Sequence, residues 1–507
     1  MIHHQDTKST RRWGSWCLGV LVVTIASAQP IETLTLPSES PLVNFRILFR
    51  AGAASDPAGK QGAAALTAAM LSQGGSLAMT YDQIVRALFP MAASIRSQVD
   101  KEMTVFNGTT HADNLDRYYS LLRAMLLEPG WREDDFRRLK TDAINRLRVE
   151  LRGNNDEELG KEALYLRIYE GHPYGHENTG TVAALEKMTL DDLRAFYRQN
   201  YTQANVVLGL AGGYPKGFAE KAASDFERLP GGGPANKLQI CNQFLPDPKP
   251  PRKLRVRLID KNTRATAISL GFPLAANRAS PDWPALLVAQ SYFGQHRSSK
   301  GLLYARLREL RGLNYGDYAY IEYFPRGMFQ FEPDPNLGRC QQIFQIWIRP
   351  VEPQNATFAL RAALYELDKL VRDGMSLQEF EGTRKFLSKF VNLLTQTDAA
   401  RLGYALDSRY YGLPEFNGWL KNALSRLTLA DVNQAIRKHL RATDLDVVIV
   451  AKDAPGLRKT ILAGTPSVIT YVAPKPKEVL EEDQRIGRYR LDVGSVDVVQ
   501  VDGVFEK

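Results

Sequence analysis

The stretch "MTLDDLRAFYRQNYTQANVVLGLAG", from Met188 to Gly212, has a counterpart in "LTLADVNQAIRKHLRATDLDVVIVAKD", from Leu427 to Asp453. Each stretch begins with a threonine that an aspartate follows three residues later, which is the spacing of a helix N-cap and its capping-box partner. Each continues with a helical pattern and ends in an apolar, valine-rich run that is typical of a strand. The two stretches lie 239 residues apart in the sequence. They therefore predict a fold built from two homologous halves.

The beginnings of the two halves also correspond. "VNFRILFRAG" (43–52) alternates apolar and polar residues, and "TAISLGFPL" (266–274) is a similar strand candidate. An apolar helix follows each of them, and long helices such as "REDDFRRLKTDAINRLRVEL" (132–151) come later. This segregation of strands and helices predicts the α+β class. We expect two α/β sandwich halves, each a mostly antiparallel sheet packed with helices, arranged like a clamshell.

Composition shifts mark the boundaries of these halves. The segment "LPGGGPANKLQICNQFLPDPKPPRK" is dense in glycine and proline, which is typical of a linker. The predicted organisation is a signal peptide at 1–28, an N-terminal half at 29–228, the linker at 229–253, a C-terminal half at 254–455 and an extension at 456–507. We expect the extension to be a partly extended tail that lies against a partner.

The first residues have the pattern of an export signal. Lys8, Arg11 and Arg12 precede an apolar run at 13–25, and small residues end at Ala28. This pattern predicts a secretory signal peptide cleaved after Ala28, with an ordinary buried helix as the alternative. The mature protein is therefore expected in the periplasm or outside the cell. No later segment reaches the ~18 consecutive apolar residues of a membrane span, so none is predicted after cleavage.

Charge and cysteine content exclude other classes of function. The chain of 507 residues carries a formal net charge of +9, and the predicted signal peptide contributes +2 of it. Acidic and basic residues are interleaved without a basic stripe, which argues against a nucleic-acid partner. After cleavage Cys241 and Cys340 remain, too few for a structural zinc site. Export permits a disulfide between them, and the sequence leaves that pairing open.

The sequence lacks the common motifs of catalytic and metal-binding sites. "GAAALTAAMLSQGG" (62–75) is rich in strong helix formers but has no side chain that binds a metal or transfers a proton. His172 and His176 lie four residues apart, but Pro173 and Gly175 between them favour a turn. The turn removes the helical i, i+4 pair that binds zinc in many peptidases. The chain also lacks a nucleophile elbow, a phosphate-binding loop and a C-x-x-C motif.

Four motifs together resemble the insulinase/pitrilysin family of zinc peptidases in its bacterial two-domain form. They are "GAAALTAAMLSQGG", "MTVFNGTTHADNLDRYYSLLRAMLLEP", "GHPYGHENTGT" and "LYARLRELRGLNYGDYAY", and the resemblance extends to about residue 455. In that family two histidines of a His-x-x-Glu-His motif bind zinc and the glutamate activates water. The matching positions here hold Ala65, Ala68 and Ala69, which share one helix face. The resemblance therefore implies that this helix persists as packing only.

The resemblance also implies roles for other residues. Glu150, Glu157 and Glu158 lie near the expected third zinc ligand of the family, but they cannot hold zinc without the histidine pair. Arg308 and Tyr315 match the pair that in active relatives reaches the substrate and the tetrahedral intermediate. A guanidinium and a phenol can donate hydrogen bonds to a carbonyl and its developing oxyanion. The alternative is an ordinary surface arginine and a tyrosine at a strand edge.

A chain with the Arg/Tyr pair and no zinc motif resembles the non-catalytic subunit of a heterodimeric peptidase. The resemblance implies no cofactor in this chain, zinc in a homologous partner subunit, and a peptide substrate that adds as a strand to a sheet edge. One alternative is a structural or binding protein that uses the same fold without a role in proteolysis. An independent enzyme with an unrecognised site is disfavoured, because no catalytic constellation is present.

Overall fold

The computed structural model describes residues 30–231, 248, 250–330, 333–471 and 473–507. The predicted signal peptide and most of the predicted linker, including Cys241, lie outside these residues. The strands within them are β1 Glu32–Pro37, β2 Leu42–Phe49, β3 Ser94–Val99, β4 Thr104–His111, β5 Val206–Gly212, β6 Leu254–Asp260, β7 Thr266–Leu274, β8 Asp317–Tyr320, β9 Gln342–Val351, β10 Asp446–Ala451 and β11 Val493–Gln500.

In both halves the helices lie between and after the strands along the chain. They are α1 Ala63–Gln73, α2 Tyr81–Leu88, α3 Leu115–Leu127, α4 Glu133–Asn145, α5 Asp156–Ile168, α6 Val182–Lys187, α7 Leu190–Asn200, α8 Phe218–Phe226, α9 Trp283–Gly294, α10 Ala356–Asp373, α11 Leu377–Leu394, α12 Asp398–Tyr411, α13 Phe416–Arg426, α14 Leu429–His439, α15 Ala454–Ala463 and α16 Lys477–Gly487.

Two sheets of equivalent topology organise these elements. The first has the order β1-β5-β2-β4-β3 and the second has the order β11-β6-β10-β7-β9-β8. The pairs β1–β5 and β6–β10 are parallel, and the three pairs that follow each of them are antiparallel. The predicted α+β fold with two mostly antiparallel sheets is confirmed. By position in the two sheets, β3 corresponds to β8 and α1 corresponds to α9.

The repeated sequence forms the same local structure in both halves. Thr189 at the start of α7 and Thr428 at the start of α14 each form a complete capping box, with Asp192 and Asp431 respectively. Each helix leads into a fully buried strand, β5 or β10, that lies inside its sheet. The repeat therefore places equivalent strands at equivalent positions of the two sheets.

Each half of the chain covers one face of the other half's sheet with a helix. Helix α5 of the first half packs on β7 and β10 of the second sheet. The approach is close at Gly160, where an added Cβ would lie 3.5 Å from Ser269 Oγ. Helix α12 of the second half packs on β1, β2 and β5, with Leu402 and Leu406 buried against the first sheet. This exchange of helices joins the two halves through apolar contacts in both directions.

A crossing segment, residues 333–341, adds polar contacts between the halves. Arg339 pairs with Asp100 of the first half, with Nε 2.7 Å from Oδ2, and the side chains are only 1% and 0% exposed. The Gln98 side-chain amide, on the edge strand β3, donates to the backbone carbonyl oxygens of Pro335 and Asn336 at 3.0 and 3.1 Å. The crossing segment is thus held against the edge of the first sheet.

The same segment contains one of the two cysteines that remain after the predicted cleavage. Cys340 is disulfide-bonded. Cys241 lies outside the described residues, so its pairing with Cys340 stays an open prediction.

The C-terminal extension is part of the fold and not a tail that lies against a partner. Strand β11 pairs in parallel with β6, and α16 packs on α10. The backbone N–H groups of Val182 and Ala183 donate to the carbonyl oxygens of Phe505 and Glu506, both at 2.9 Å. The extension therefore completes the second sheet and returns to the first half. No helix within the described ranges is both long and apolar enough to span a membrane.

The buried pair between the halves predicts a measurable stability effect. Arg339→Met leaves the Asp100 carboxylate buried without its cation, so we expect the free energy of unfolding to fall by about 3–5 kcal/mol. Denaturant unfolding of the purified chain measures the change. Arg401→Met is the control, because the Arg401 guanidinium is 54% exposed and pairs with Asp398 at 3.4 Å; we expect it to cost at most about 1 kcal/mol. Equal costs for the two variants would contradict the expected contribution of the buried pair to stability.

Candidate functional site

A cavity with about 1960 Å³ of open space lies beside α1 in the first half. We call it the first-half cavity. Its walls come from α1, from the edge strand β3, from α5 and the segment before it, and from residues 323–330 and 334–337 of the second half. It is therefore bounded by both halves of the chain.

Helix α1 is held firmly at both ends. The Asp56 carboxylate accepts from the backbone N–H groups of Gly62 and Ala64 at 2.6 and 2.7 Å, which satisfies donors at the start of the helix. Near the other end, Ser72 Oγ donates to the Ala68 carbonyl at 2.9 Å and lies 3.0 Å from Ser97 Oγ on β3. The helix that the sequence predicted is present, and these contacts fix it against β3.

The three alanines of this helix have different surroundings. Ala65 lines the first-half cavity. Ala68 is 0% exposed inside the core of the first half, and Ala69 is half-buried and packs against that core. Of the three positions, Ala65 is the one that lines the cavity, and a glutamate at position 68 would have to enter a packed core.

The structure separates the three candidate glutamates. Glu150 and Glu158 line the first-half cavity together with Ala65. Glu157 instead pairs with Arg349 of the second half, with Oε2 3.1 Å from Nε. Burial raises the pKa of Glu157, although Arg349 opposes this.

Glu150 and Glu158, the two candidate glutamates that line the cavity, already have cationic neighbours. The Glu158 carboxylate accepts from the buried Lys161 ammonium at 3.2 and 3.4 Å and from the backbone N–H of Arg326 at 3.3 Å. Glu150 lies 3.6 Å from the Arg146 guanidinium. A metal ion would have to displace these cations to reach the carboxylates.

Arg146 is a cavity residue that sequence reasoning missed. It begins a π-helical stretch, Arg146–Asn154, that follows α4 directly, and it lines the cavity. Burial lowers the pKa of its guanidinium, but the carboxylates of Glu177, Glu162 and Glu150 outweigh this and raise it. The π-helical register changes which side chains share a face. A search for a regular 3.6-residue period therefore does not reveal that Arg146 and Glu150 turn into the cavity.

Glu162 of α5 is a second cavity residue that the sequence pattern does not reveal. It lines the cavity, and its carboxylate accepts a hydrogen bond from the Tyr323 hydroxyl at 3.1 Å. Burial, reinforced by the neighbouring carboxylates of Glu177 and Glu158, raises the pKa of Glu162 to about 7. A carboxyl group in this position is neutral in a large fraction of molecules at neutral pH.

The residues of this cavity do not suit zinc. A catalytic zinc site needs three protein ligands from histidine, glutamate, aspartate or cysteine. Across the described ranges, no group of three or more such side chains could hold a metal ion. The guanidinium of Arg146 and the ammonium of Lys161 also supply positive charge near the carboxylates. The described residues of this cavity therefore do not form a zinc site.

The two histidines of the "HPYGH" stretch have structural contacts. They lie on a turn, as predicted. His172 Nδ1 accepts from the backbone N–H of Tyr174 at 3.1 Å. His176 Nε2 lies 3.1 Å from the Asp56 carboxylate, the group that caps the start of α1. His176 therefore supports α1 from the side.

Arg308 and Tyr315 lie apart from the first-half cavity. Arg308 is on a π-helical stretch, Tyr304–Glu309, and its guanidinium lies over the Tyr304 ring at 4.5 Å from the centroid. Within the described part of the chain it makes no ion pair. Tyr315 lies in the turn before β8, and its side chain is 75% exposed. Neither residue lines the cavity that holds Ala65.

The neighbouring arginines contrast with Arg308. Arg306 pairs with Glu366, with Nε 2.7 Å from Oε1, and also with Glu482. Arg311 pairs with Asp483 and Glu482, both at 2.8 Å, and is buried. Arg306 and Arg311 therefore bind α10 and α16 to this region, whereas Arg308 keeps its hydrogen-bonding capacity for another molecule.

The turn that carries Tyr315 is fixed by the side chain of Asn314. Its Oδ1 accepts from the backbone N–H of Gly316 at 3.0 Å, and its amide nitrogen donates to Asp317 Oδ1 and to the Arg349 carbonyl. The exposed phenol is thus presented by an ordered turn. Burial raises the pKa of Asp317 beneath it to about 8.

The chain is similar in sequence to proteins of a known peptidase family. The family models described as "Insulinase (Peptidase family M16)" and "Peptidase M16 inactive domain" match residues 34–182 and 187–387, together more than half of the chain. "Non-peptidase homolog YmxG" from Helicobacter pylori is 22% identical over 422 residues, which are 81% of this chain and 89% of that protein. The beta subunit of mitochondrial-processing peptidase from Neurospora crassa is 25% identical over 174 residues, 34% of this chain and 36% of that one.

Solved structures share the fold. The crystal structure of a peptidase M16 inactive domain from Pseudomonas fluorescens superimposes with a TM-score of 0.72 at 22% identity, over 83% of this chain and 95% of that one. A Helicobacter pylori protease superimposes with a TM-score of 0.68 at 14% identity, over 83% of this chain and 98% of that one.

The packing of α1 predicts that catalytic groups cannot simply be restored. We expect the purified chain to bind no stoichiometric zinc and to cleave no peptide alone, and Ala65→His/Ala68→Glu/Ala69→His to behave in the same way. The glutamate at position 68 enters the core, which we expect to cost more than about 3 kcal/mol of stability. Ala65→His alone is the control, because it projects into open space and should cost little. Elemental analysis and unfolding measure both effects; about one tightly bound zinc per chain would contradict the prediction.

Proposed function

Because this chain belongs to the insulinase (M16) family of peptidases, and because its zinc-helix positions hold alanine, we propose that it is a non-catalytic, substrate-binding subunit of a heterodimeric zinc metallopeptidase. Family membership confirms the resemblance of the sequence motifs. The zinc and its general base belong to a homologous partner subunit. This chain contributes Arg308 and Tyr315 to the bound peptide and to the transition state.

One observation carries the proposal. Among the residues that the structure describes, no carboxylate engages Arg308, while Arg306 and Arg311 on either side are held in ion pairs. A guanidinium that lies over an aromatic ring without an acidic partner keeps its N–H donors for a ligand. The exposed phenol of Tyr315 adds a second donor. Two such donors suit a peptide carbonyl that gains negative charge as it is attacked.

The geometry argues for a second subunit. Neither Arg308 nor Tyr315 lines the first-half cavity, so within one chain they do not converge with the vacated zinc positions. A reacting carbonyl within their reach is best supplied by another molecule. The relative from Neurospora crassa is itself a peptidase subunit by name. The predicted signal peptide supports assembly in the periplasm.

The first-half cavity offers a place for the peptide. Strand β3 is at the edge of the first sheet, and its residues 96–99 line the cavity. An extended peptide can add to such an edge through main-chain hydrogen bonds, which read the backbone more than the sequence. The Arg96 side chain is exposed there and makes no ion pair within the described ranges. The crossing segment is held at Gln98 on this edge, so we place the non-reacting part of the substrate along residues 94–97 of β3.

A structural or binding protein without a role in proteolysis is the second candidate. The burial of Ala68 favours it, because the helix has been integrated into the core. The relative from Helicobacter pylori is named a non-peptidase homologue. The two candidates differ in whether a zinc-bearing partner needs this chain for activity.

The proposal predicts a stable complex. Co-expression with a zinc-bearing homologue from the same genome should yield a 1:1 heterodimer on gel filtration, because the two subunits must enclose the substrate. Peptide cleavage should require both chains and should stop when a chelator removes zinc. Separate elution of the two chains, with the partner fully active alone, would favour the structural-protein candidate.

The Arg/Tyr pair predicts a kinetic effect in that complex. Arg308→Ala and Tyr315→Phe each remove a donor to the oxyanion, so we expect kcat to fall on the order of 100- to 1000-fold. The KM should change less, because the interaction strengthens as the transition state forms. Steady-state kinetics of the assembled variants measure both constants.

An exposed arginine outside the proposed site provides the control for this experiment. Arg437→Ala on α14 removes an exposed arginine and should leave kcat unchanged. Arg306→Ala and Arg311→Ala are unsuitable as neutral controls, because their ion pairs hold α16 in place. Normal kcat values in correctly assembled Arg308→Ala and Tyr315→Phe complexes would assign this chain a scaffolding role.

A further inference from the structure

The second half has its own pocket at the position equivalent to the first-half cavity. It lies between α9, the end of β8, α11, α12 and α13, and of these α9 and β8 correspond to α1 and β3 in the other half. About 1000 Å³ of open space is associated with it. The two halves therefore place openings at equivalent sites of the repeated fold.

Most of the residues that line this second-half pocket are apolar or aromatic. Side chains from four helices, α9, α11, α12 and α13, meet there, among them Trp283, Phe390, Leu394, Tyr404 and Phe416. Phe390 and Leu394 are only half-buried, so the pocket reaches the surface beside α11. Aromatic walls of this kind suit aromatic or branched aliphatic groups.

The charges at the pocket argue against an anionic ligand. Arg278 lines the pocket, but its guanidinium is bound by Glu322 at 2.9–3.2 Å and by Asp407 at 3.2 Å. Two carboxylates thus neutralise this one cation. A fatty acid or another carboxylate would bring further negative charge into this apolar setting.

One polar atom at the pocket lacks a partner. Trp283 is 2% exposed, and its indole Nε1 makes no hydrogen bond within the described residues. An indole N–H is a donor only, and leaving it unpaired in the interior is costly. A ligand that places a carbonyl oxygen beside it would satisfy this donor.

We propose that the second-half pocket binds an uncharged apolar side chain, aromatic or branched, together with the carbonyl of the residue that carries it. The source is an extended peptide segment, because a peptide supplies the side chain and the acceptor together without added charge. Phe386 extends the apolar surface outward: it is 42% exposed and stacks on Phe390 with ring centroids 5.2 Å apart. This site is independent of Arg308 and Tyr315 and needs no partner subunit.

The test uses the full chain alone with three small probes. N-acetyl-L-phenylalaninamide carries the side chain and a neutral carbonyl, N-acetyl-L-phenylalanine adds a carboxylate, and N-acetylglycinamide lacks the side chain. Saturation-transfer NMR should detect the first probe and show binding at least about tenfold weaker for the other two. Equal or tighter binding of the carboxylate, equal binding of the glycine probe, or no binding of the first probe would overturn the proposal.

Substitutions on one helix locate the site. Leu394→Trp fills the pocket and should weaken binding of N-acetyl-L-phenylalaninamide about tenfold or more. Leu393→Trp is the matched control, because Leu393 is 50% exposed and does not line the pocket; binding should be unchanged. Trp283→Phe removes the unpaired donor, should weaken binding about fivefold, and decides the question if Leu394→Trp does not fold. Undiminished binding in folded pocket variants would overturn the assignment.

Because these measurements use the isolated chain, their outcome is separable from that of the proposed function. A chain that binds the neutral probe but forms no heterodimer would retain the pocket and lose the subunit proposal. A heterodimer with the expected kinetics and no probe binding would do the reverse.

Discussion

The exchange of helices between the two halves is the constraint on which the rest of this structure depends. Helix α5 leaves the first half to cover the second sheet, and α12 returns to cover the first. Each sheet would otherwise expose an apolar face of valine, isoleucine and leucine side chains to water. Neither half is therefore complete without the other. The close approach at Gly160 and the burial of Leu402 and Leu406 follow from the same requirement.

This exchange determines the surroundings of the vacated zinc positions. Because α5 spans the junction, Glu157 and Glu158 on its first turn point to different partners, Arg349 of the second half and Lys161 of the same helix. The crossing segment is held against β3 by the same junction. Residues from the second half consequently form one wall of the first-half cavity. What remains there is a charge-compensated cavity, with Arg146 and Lys161 near the carboxylates.

The equivalent openings of the two halves have diverged in character. The first is lined by charged side chains and by Ala65 of α1, whereas the second is lined by aromatic rings around a neutralised arginine. The repeated fold provides both openings, but the side chains of each half decide what each can bind. Similarly, Arg306 and Arg308 lie two residues apart on one π-helical stretch, and in the described part of the chain carboxylates engage Arg306 but not Arg308. The two halves thus differ in which charges are compensated and which remain available.

The sequence by itself determined the features that depend on local pattern. The internal repeat, the capping boxes at Thr189 and Thr428, the helix at α1 and the absence of His and Glu at its positions 65, 68 and 69 all follow from neighbouring residues. Only the tertiary structure decided which groups meet. The π-helical register brought Arg146 into the cavity, and β11 joined the second sheet instead of forming a tail. The physical reason is that periodicity and capping act within a few residues. The partner of a charge or of a strand edge comes from another element, often in the other half of the chain, and no local pattern records it.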